Sequence, residues 1–112
     1  MRKLLVCVLA AALLCGLAAT APASTRSIKI GDNYFVRSKG VPTVTVSRNS
    51  TVKWNFRGES VHNVTVSNGP VKFHSPTKGS GSFSKKVTKA GTYTIYCSIH
   101  GPGDQKMTLI VE

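Results

Sequence analysis

The chain has 112 residues, 15 basic side chains against 4 acidic ones, a formal charge of +11 and a charged fraction of only 17%. That is room for one domain, and the sequence is too apolar for a disordered polycation. The basic residues are spread singly (Arg26, Lys29, Arg37, Lys39, Arg48, Lys53, Arg57), with Lys85, Lys86 and Lys89 the tightest group. Neither a recognition helix nor an aromatic stripe accompanies them, so nucleic-acid binding is not supported; a basic face that steers an acidic partner fits better.

The first segment reads as an export signal over residues 1–23. Met1-Arg2-Lys3 is a short positive start, Leu4 to Leu17 is apolar, and Ala21-Pro22-Ala23 offers small residues for cleavage. The apolar run is short for a membrane span, and no second one follows. A lipid anchor on Cys15 is the alternative, although Leu14 stands where a small residue is wanted. Cleavage after Ala23 leaves 89 residues, 24–112, with 13 basic and 4 acidic side chains and a net charge of about +9. The expected location is periplasmic, cell-envelope or extracellular. Cys7 and Cys15 leave with the signal, so Cys97 is the one thiol of an exported domain. It has no disulfide partner, and a lone oxidisable thiol there is either packed as a small hydrophobe or bound to a metal.

The remaining chain alternates in short runs. Ser27 to Ile30 alternates polar and apolar, a Gly31-Asp32-Asn33 turn follows, and Tyr34-Phe35-Val36 resumes the strand. Thr43 to Val46 and Thr51 to Phe56 alternate cleanly, the second with Val52, Trp54 and Phe56 on one face. Val61 to Ser67 and Gly81 to Val87 are further strand candidates, separated by a Gly-, Pro-, Ser- and Lys-rich stretch from Asn68 to Ser80 that reads as a surface loop. Thr92 to Cys97 puts Tyr93, Ile95 and Cys97 on the more apolar face, and Met107 to Val111 alternates again. Many short strands with frequent turns and no helical period predict an all-β fold, a single antiparallel sandwich or barrel.

The chemistry concentrates in Cys97-Ser98-Ile99-His100. A strand end lets two side chains three residues apart turn onto one ion, and thiolate with imidazole suits copper in either oxidation state. Alone, this spacing is equally half a zinc site. His62, in Val61-His62-Asn63-Val64, lies 35 positions upstream of Cys97 and could join it only in a folded sandwich. His74, before Ser75-Pro76, reads as a surface residue. Neither a Ser-His-Asp set nor a carboxylate pair is evident, since the acids are Asp32, Glu59, Asp104 and Glu112; an enzyme is not expected.

At these residues the sequence resembles the cupredoxins, in particular the plastocyanin and amicyanin group. The shared features are Tyr34-Phe35 closing an early strand, Val52-Lys53-Trp54, His62-Asn63, the Gly91, Tyr93 and Cys97 register, and a final strand rich in Val and Ile. They run through nearly all of residues 24–112. The resemblance implies a Greek-key sandwich with one type 1 copper ion and one-electron transfer as the function. The copper plane would be His62, Cys97 and His100. The family's axial Met lies five residues after the second His, which is Gln105 here; a lengthened loop that brings in Met107 is the alternative. An axial Gln resembles stellacyanin, and an amide oxygen favours Cu(II) more than a thioether does, so a lowered potential is expected, the more so with Asp104 turned inward. Asn63 would tie its strand to the Cys97 loop, while Phe35, Val36 and Met107 would exclude water. The expected partner is a redox protein with an acidic docking face, met by a monomer. Copper storage or delivery by the same ligands, and a metal-free adhesion sandwich, remain alternatives.

Overall fold

The computed structural model describes residues 21–36 and 40–112. Of the export segment read over residues 1–23, positions 1–20 fall outside these. Eight strands follow one another: β1 Thr25–Gly31, β2 Tyr34–Phe35, β3 Thr43–Val46, β4 Thr51–Phe56, β5 Thr65–Asn68, β6 Ser82–Lys86, β7 Gly91–Tyr96 and β8 Lys106–Val111. There is no helix among the described residues. Two four-stranded sheets, ordered β2-β1-β4-β6 and β3-β8-β7-β5, make the sandwich.

Period-two alternation decides which side of each strand is inside. In β4, Val52, Trp54 and Phe56 are buried and Lys53 is exposed. In β7 and β8, Tyr93 and Ile95 meet Met107, Leu109 and Val111 in one apolar cluster with Ile28, Ile30 and Phe35 from the opposite sheet. Full burial of such a side chain contributes roughly 1.5–3 kcal/mol, so a one-residue slip of any strand would be opposed by several kcal/mol. Tyr93 also donates its hydroxyl hydrogen to the Lys89 carbonyl (2.8 Å), pinning the β6–β7 connection.

Pairing is mixed rather than wholly antiparallel. β1 runs parallel to β4 (Ile28 opposite Trp54), and β3 runs parallel to β8 (Val44 opposite Leu109); the other pairs are antiparallel. Both parallel pairs join strands distant enough in sequence for the chain to cross between sheets.

The Asn68 to Ser80 stretch is bound more closely than a free surface loop. The Val66 N–H donates to Phe73 O, the Ser75 N–H to Val64 O, and His62 and Lys78 exchange both backbone hydrogen bonds at 2.9 Å. This clamp replaces regular strand pairing from Val61 to Val64, so β5 begins only at Thr65. Val36 also departs from expectation: it adopts a left-handed φ of 67° and is 38% exposed, so it does not seal the interior. The chain turns outward after Phe35, which alone of that pair is buried.

Three connections converge at one end of the sandwich. β5 begins opposite the end of β7 (Thr65 with Tyr96), β8 begins there too (Lys106 with Tyr96), and the β1–β2 turn closes from the other sheet. His62, Asn63, Cys97, His100 and Gln105 lie at this end, just outside the strands.

Candidate metal centre

His62 precedes β5, Cys97 follows β7, and His100 sits in the β7–β8 loop. One donor atom from each lies within 4.8 Å of the others. His62 and Cys97 are fully buried and His100 is half-buried. Cys97 Sγ is 3.4 Å from His100 Nδ1 and 4.0 Å from His62 Nδ1. A first-row metal bound about 2.3 Å from sulfur and about 2.0 Å from nitrogen, in a trigonal plane, would separate those atoms by roughly 3.8 Å. The observed spacings straddle that value, so the trio fits one shared ion.

Short backbone bonds hold the Cys97 loop closed. The Gly101 N–H donates to Cys97 O (2.8 Å), the Gln105 N–H to Gly101 O (3.2 Å), and the Cys97 N–H to Gln105 O (3.2 Å). Asn63 fastens this loop to the His62 segment. Its amide donates to Ser98 Oγ (2.8 Å), while its carbonyl oxygen accepts from the Ser98 N–H (3.0 Å) and Thr65 Oγ1 (2.9 Å). One buried side chain, Asn63, therefore grips both segments.

Gln105 reaches this group, whereas Met107 packs in the core cluster on β8 opposite Ile95. Both are fully buried. The Gln105 amide nitrogen donates to Gly31 O and Tyr34 O, each at 2.9 Å. Two acceptors on one side fix the orientation of the amide, since only an NH₂ group satisfies both. Its oxygen consequently points at His62 Nδ1, 3.0 Å away.

Asp32 completes the surroundings of His62 and was read from sequence only as a turn residue. Its Oδ1 lies 3.0 Å from His62 Nε2. Being an acceptor, the carboxylate calls for a proton on Nε2. In the neutral ring Nδ1 then carries a lone pair toward the Gln105 oxygen, and a metal ion can take both as donors; in the doubly protonated ring Nδ1–H donates to that oxygen instead. The donor set is one that copper takes well. Backbone N–H groups of Ser60 and Glu59 hold Asp32 from the far side (3.0 and 3.1 Å). With the bond to His62 they lower its carboxyl from the usual 3.8 to about 2, against a small opposing effect of burial. Gly58 makes room for this contact: a Cβ there would stand 2.2 Å from Asp32 Oδ1.

Two further expectations resolve differently. Asp104 is exposed rather than turned inward, because the Gly101 turn carries it to the surface. The carboxylate beside His62 is Asp32 instead. His74 is exposed, as read from sequence, although its backbone bridges to Thr65.

A sandwich of this topology that gathers two histidines and the one cysteine among the described residues at one end is a cupredoxin. The chain is similar to plastocyanin from Dryopteris crassirhizoma, at 31% identity over 100 residues, covering 76% of this chain and 98% of that protein. No family model matches. Among solved structures, a Cu(I) amicyanin variant with methionine replaced by alanine superposes with a TM-score of 0.66 at 26% identity, over 85% of this chain and 89% of amicyanin. A Cu(I) amicyanin variant carrying glutamine for methionine gives 0.65 at 27% identity, over 79% and 82%. A copper-containing nitrite reductase from Thermus scotoductus gives 0.64 at 22% identity, but this chain spans only 22% of that protein and the likeness is one of fold. The chain belongs to the plastocyanin family.

Proposed function

We propose that this protein is a one-electron carrier holding one copper ion on His62 Nδ1, Cys97 Sγ and His100 Nδ1, with the Gln105 amide oxygen as the axial donor. The observation that carries the reading is the convergence of three donor atoms from two distant segments within 4.8 Å, with an orientationally fixed amide oxygen aimed at one of them. Copper bound there supplies a Cu(II)/Cu(I) couple. The chain contributes rigidity: the closed Cys97 loop, the Asn63 bridge and the Lys78 clamp hold the ligands before any metal arrives. Phe35 and Met107 line a dry interior, and no open position for a substrate is implied. This argues for a carrier rather than an enzyme.

His100 is the half-buried ligand, and the exposed Ile99 and Val61 lie next in sequence to the two histidines. An apolar surface around an accessible imidazole edge suits brief docking with a redox partner. The surplus of basic residues favours an acidic partner, with association weakening as salt rises. No helix among the described residues is long and apolar enough to cross a membrane. We place the domain at residues 24–112, exported after removal of residues 1–23, and acting as a monomer.

Stopped-flow mixing of the copper-loaded protein with a small one-electron reductant tests the function. A carrier is reduced and reoxidised rapidly and keeps its metal through repeated cycles. Slow reduction, with release of Cu(I) to a chelator on each cycle, would instead identify a copper-delivery protein.

A further inference from the structure

Among the described residues, Asp32 is the one carboxylate hydrogen-bonded to the proposed ligand set, and nothing in the general requirements of the site demands a charged group there: a backbone carbonyl would orient an imidazole equally well. The contact is built from both sides. The β1–β2 turn presents Asp32, backbone N–H groups of Ser60 and Glu59 grip it, and its Oδ1 meets His62 Nε2 at 3.0 Å. Gly31, one residue earlier, lends its carbonyl to the Gln105 amide, and Tyr34, two residues later, does the same. One turn therefore orients two candidate ligands, His62 through a side chain and Gln105 through backbone.

We infer that Asp32 is a positioning residue that sets the ring orientation and tautomer of His62 and biases the centre toward Cu(II). The inference rests on the copper-carrier reading. Its physical basis is twofold. A carboxylate accepting from Nε2–H reserves the Nδ1 lone pair for the ion and makes the imidazole a stronger donor. A negative charge one ring away stabilises the doubly charged ion more than the singly charged one. The carboxylate side chain is 43% exposed, so solvent weakens its direct field, and the hydrogen-bonded route through the ring carries most of the effect. A docked partner could also reach this carboxylate from the open cleft that Lys29, Tyr34, Arg57 and Glu59 form around it.

The test compares Asp32→Ala and Asp32→Asn with the unaltered protein, full chain, by competitive titration with Cu(II) and Cu(I), by midpoint potential, and by nitrogen-15 NMR of the His62 ring in the metal-free and Cu(I) forms. Loss of an outer hydrogen-bond partner weakens metal binding by about 10–100-fold. For Asp32→Ala we expect that loss for Cu(II), at least tenfold less loss for Cu(I), and so a potential raised by about 59 mV or more, together with disappearance of the single Nε2–H tautomer. Asp32→Asn keeps an acceptor without the charge and should fall between. If the substitutions lower metal-free stability yet leave the Cu(II)/Cu(I) affinity ratio and the tautomer unchanged, Asp32 is merely part of the turn and the inference is overturned. Failure of the unaltered protein to bind copper would overturn the carrier reading itself, and this inference with it.

Discussion

Exchanging Gln105 for methionine probes the axial assignment most sharply, because its two consequences have separate origins. The Gln105 amide gives two hydrogen bonds, to Gly31 O and Tyr34 O, inside a fully buried site. Each such bond is worth a net 0.5–1.5 kcal/mol, so Gln105→Met should destabilise the metal-free protein by about 1–3 kcal/mol. The second consequence concerns the metal: a thioether is softer than an amide oxygen and favours Cu(I), so the midpoint potential should rise. The matched variant is Met107→Leu, a nearly volume-conserving change in the apolar cluster, expected to cost less than about 1.5 kcal/mol and to leave the potential in place. Urea unfolding of the metal-free proteins and voltammetry of the copper forms read the two effects independently. An unmoved potential in Gln105→Met, paired with a shifted one in Met107→Leu, would reverse the axial assignment. A stability loss alone would show that Gln105 is only a strut between the β1–β2 turn and the ligand loop.

Three other outcomes follow from the same contacts. Asn63→Ala removes two hydrogen bonds between the His62 segment and the Cys97 loop and a third, from Thr65, within the segment; a loss of about 2–4 kcal/mol in urea unfolding is expected, and a change below about 0.5 kcal/mol would refute the bridging role. Asp32 has a depressed pKa in the folded state, about 2 against 3.8, so its stabilising contribution is complete above about pH 4 and is lost as pH falls through about 2. The fall in metal-free stability between about pH 5 and about pH 2 should therefore be smaller in Asp32→Asn, and an equal fall would contradict the sign. Gly58→Ala places a Cβ 2.2 Å from Asp32 Oδ1 and should mimic Asp32→Ala in weakening Cu(II) binding; Gly79→Ala, whose Cβ would meet only Val61 at 3.7 Å, should not. Equal copper affinities in the two glycine variants would remove the steric argument.

Much of this molecule could be read from its residues because β-structure writes its inside and outside in alternate positions. Val52, Trp54 and Phe56, or Met107, Leu109 and Val111, declare their buried face without reference to any partner strand. The clustering of His62, Cys97 and His100 could be anticipated for a different reason: a lone thiol in a chain read as exported needs an explanation, and two histidines at strand ends offer one. What stayed hidden depends on contacts across long separations. The parallel pairings of β1 with β4 and of β3 with β8 have no local signature, since either neighbour would satisfy the same alternation. The Asn68 to Ser80 stretch has loop composition, yet it is held by backbone bonds that any residue but proline can make, as His62 with Lys78 shows. Asp32 was masked by its own good fit to a Gly-Asp-Asn turn; only the fold brings Ser60 and His62 to its carboxylate. Val36 was expected to exclude water only from the resemblance; alternation already sets it on the face opposite buried Phe35, and its left-handed φ of 67° turns the chain outward.

The central claim is that Cys97, His62 and His100 hold one copper ion in a thiolate-containing plane. A visible absorption spectrum recorded while the metal-free protein is titrated with Cu(II) tests it most directly. The expected result is an intense blue thiolate-to-copper band that saturates at one ion per chain, vanishes on reduction, and does not form in Cys97→Ser. A colourless titration, or a band that persists in Cys97→Ser, would contradict it.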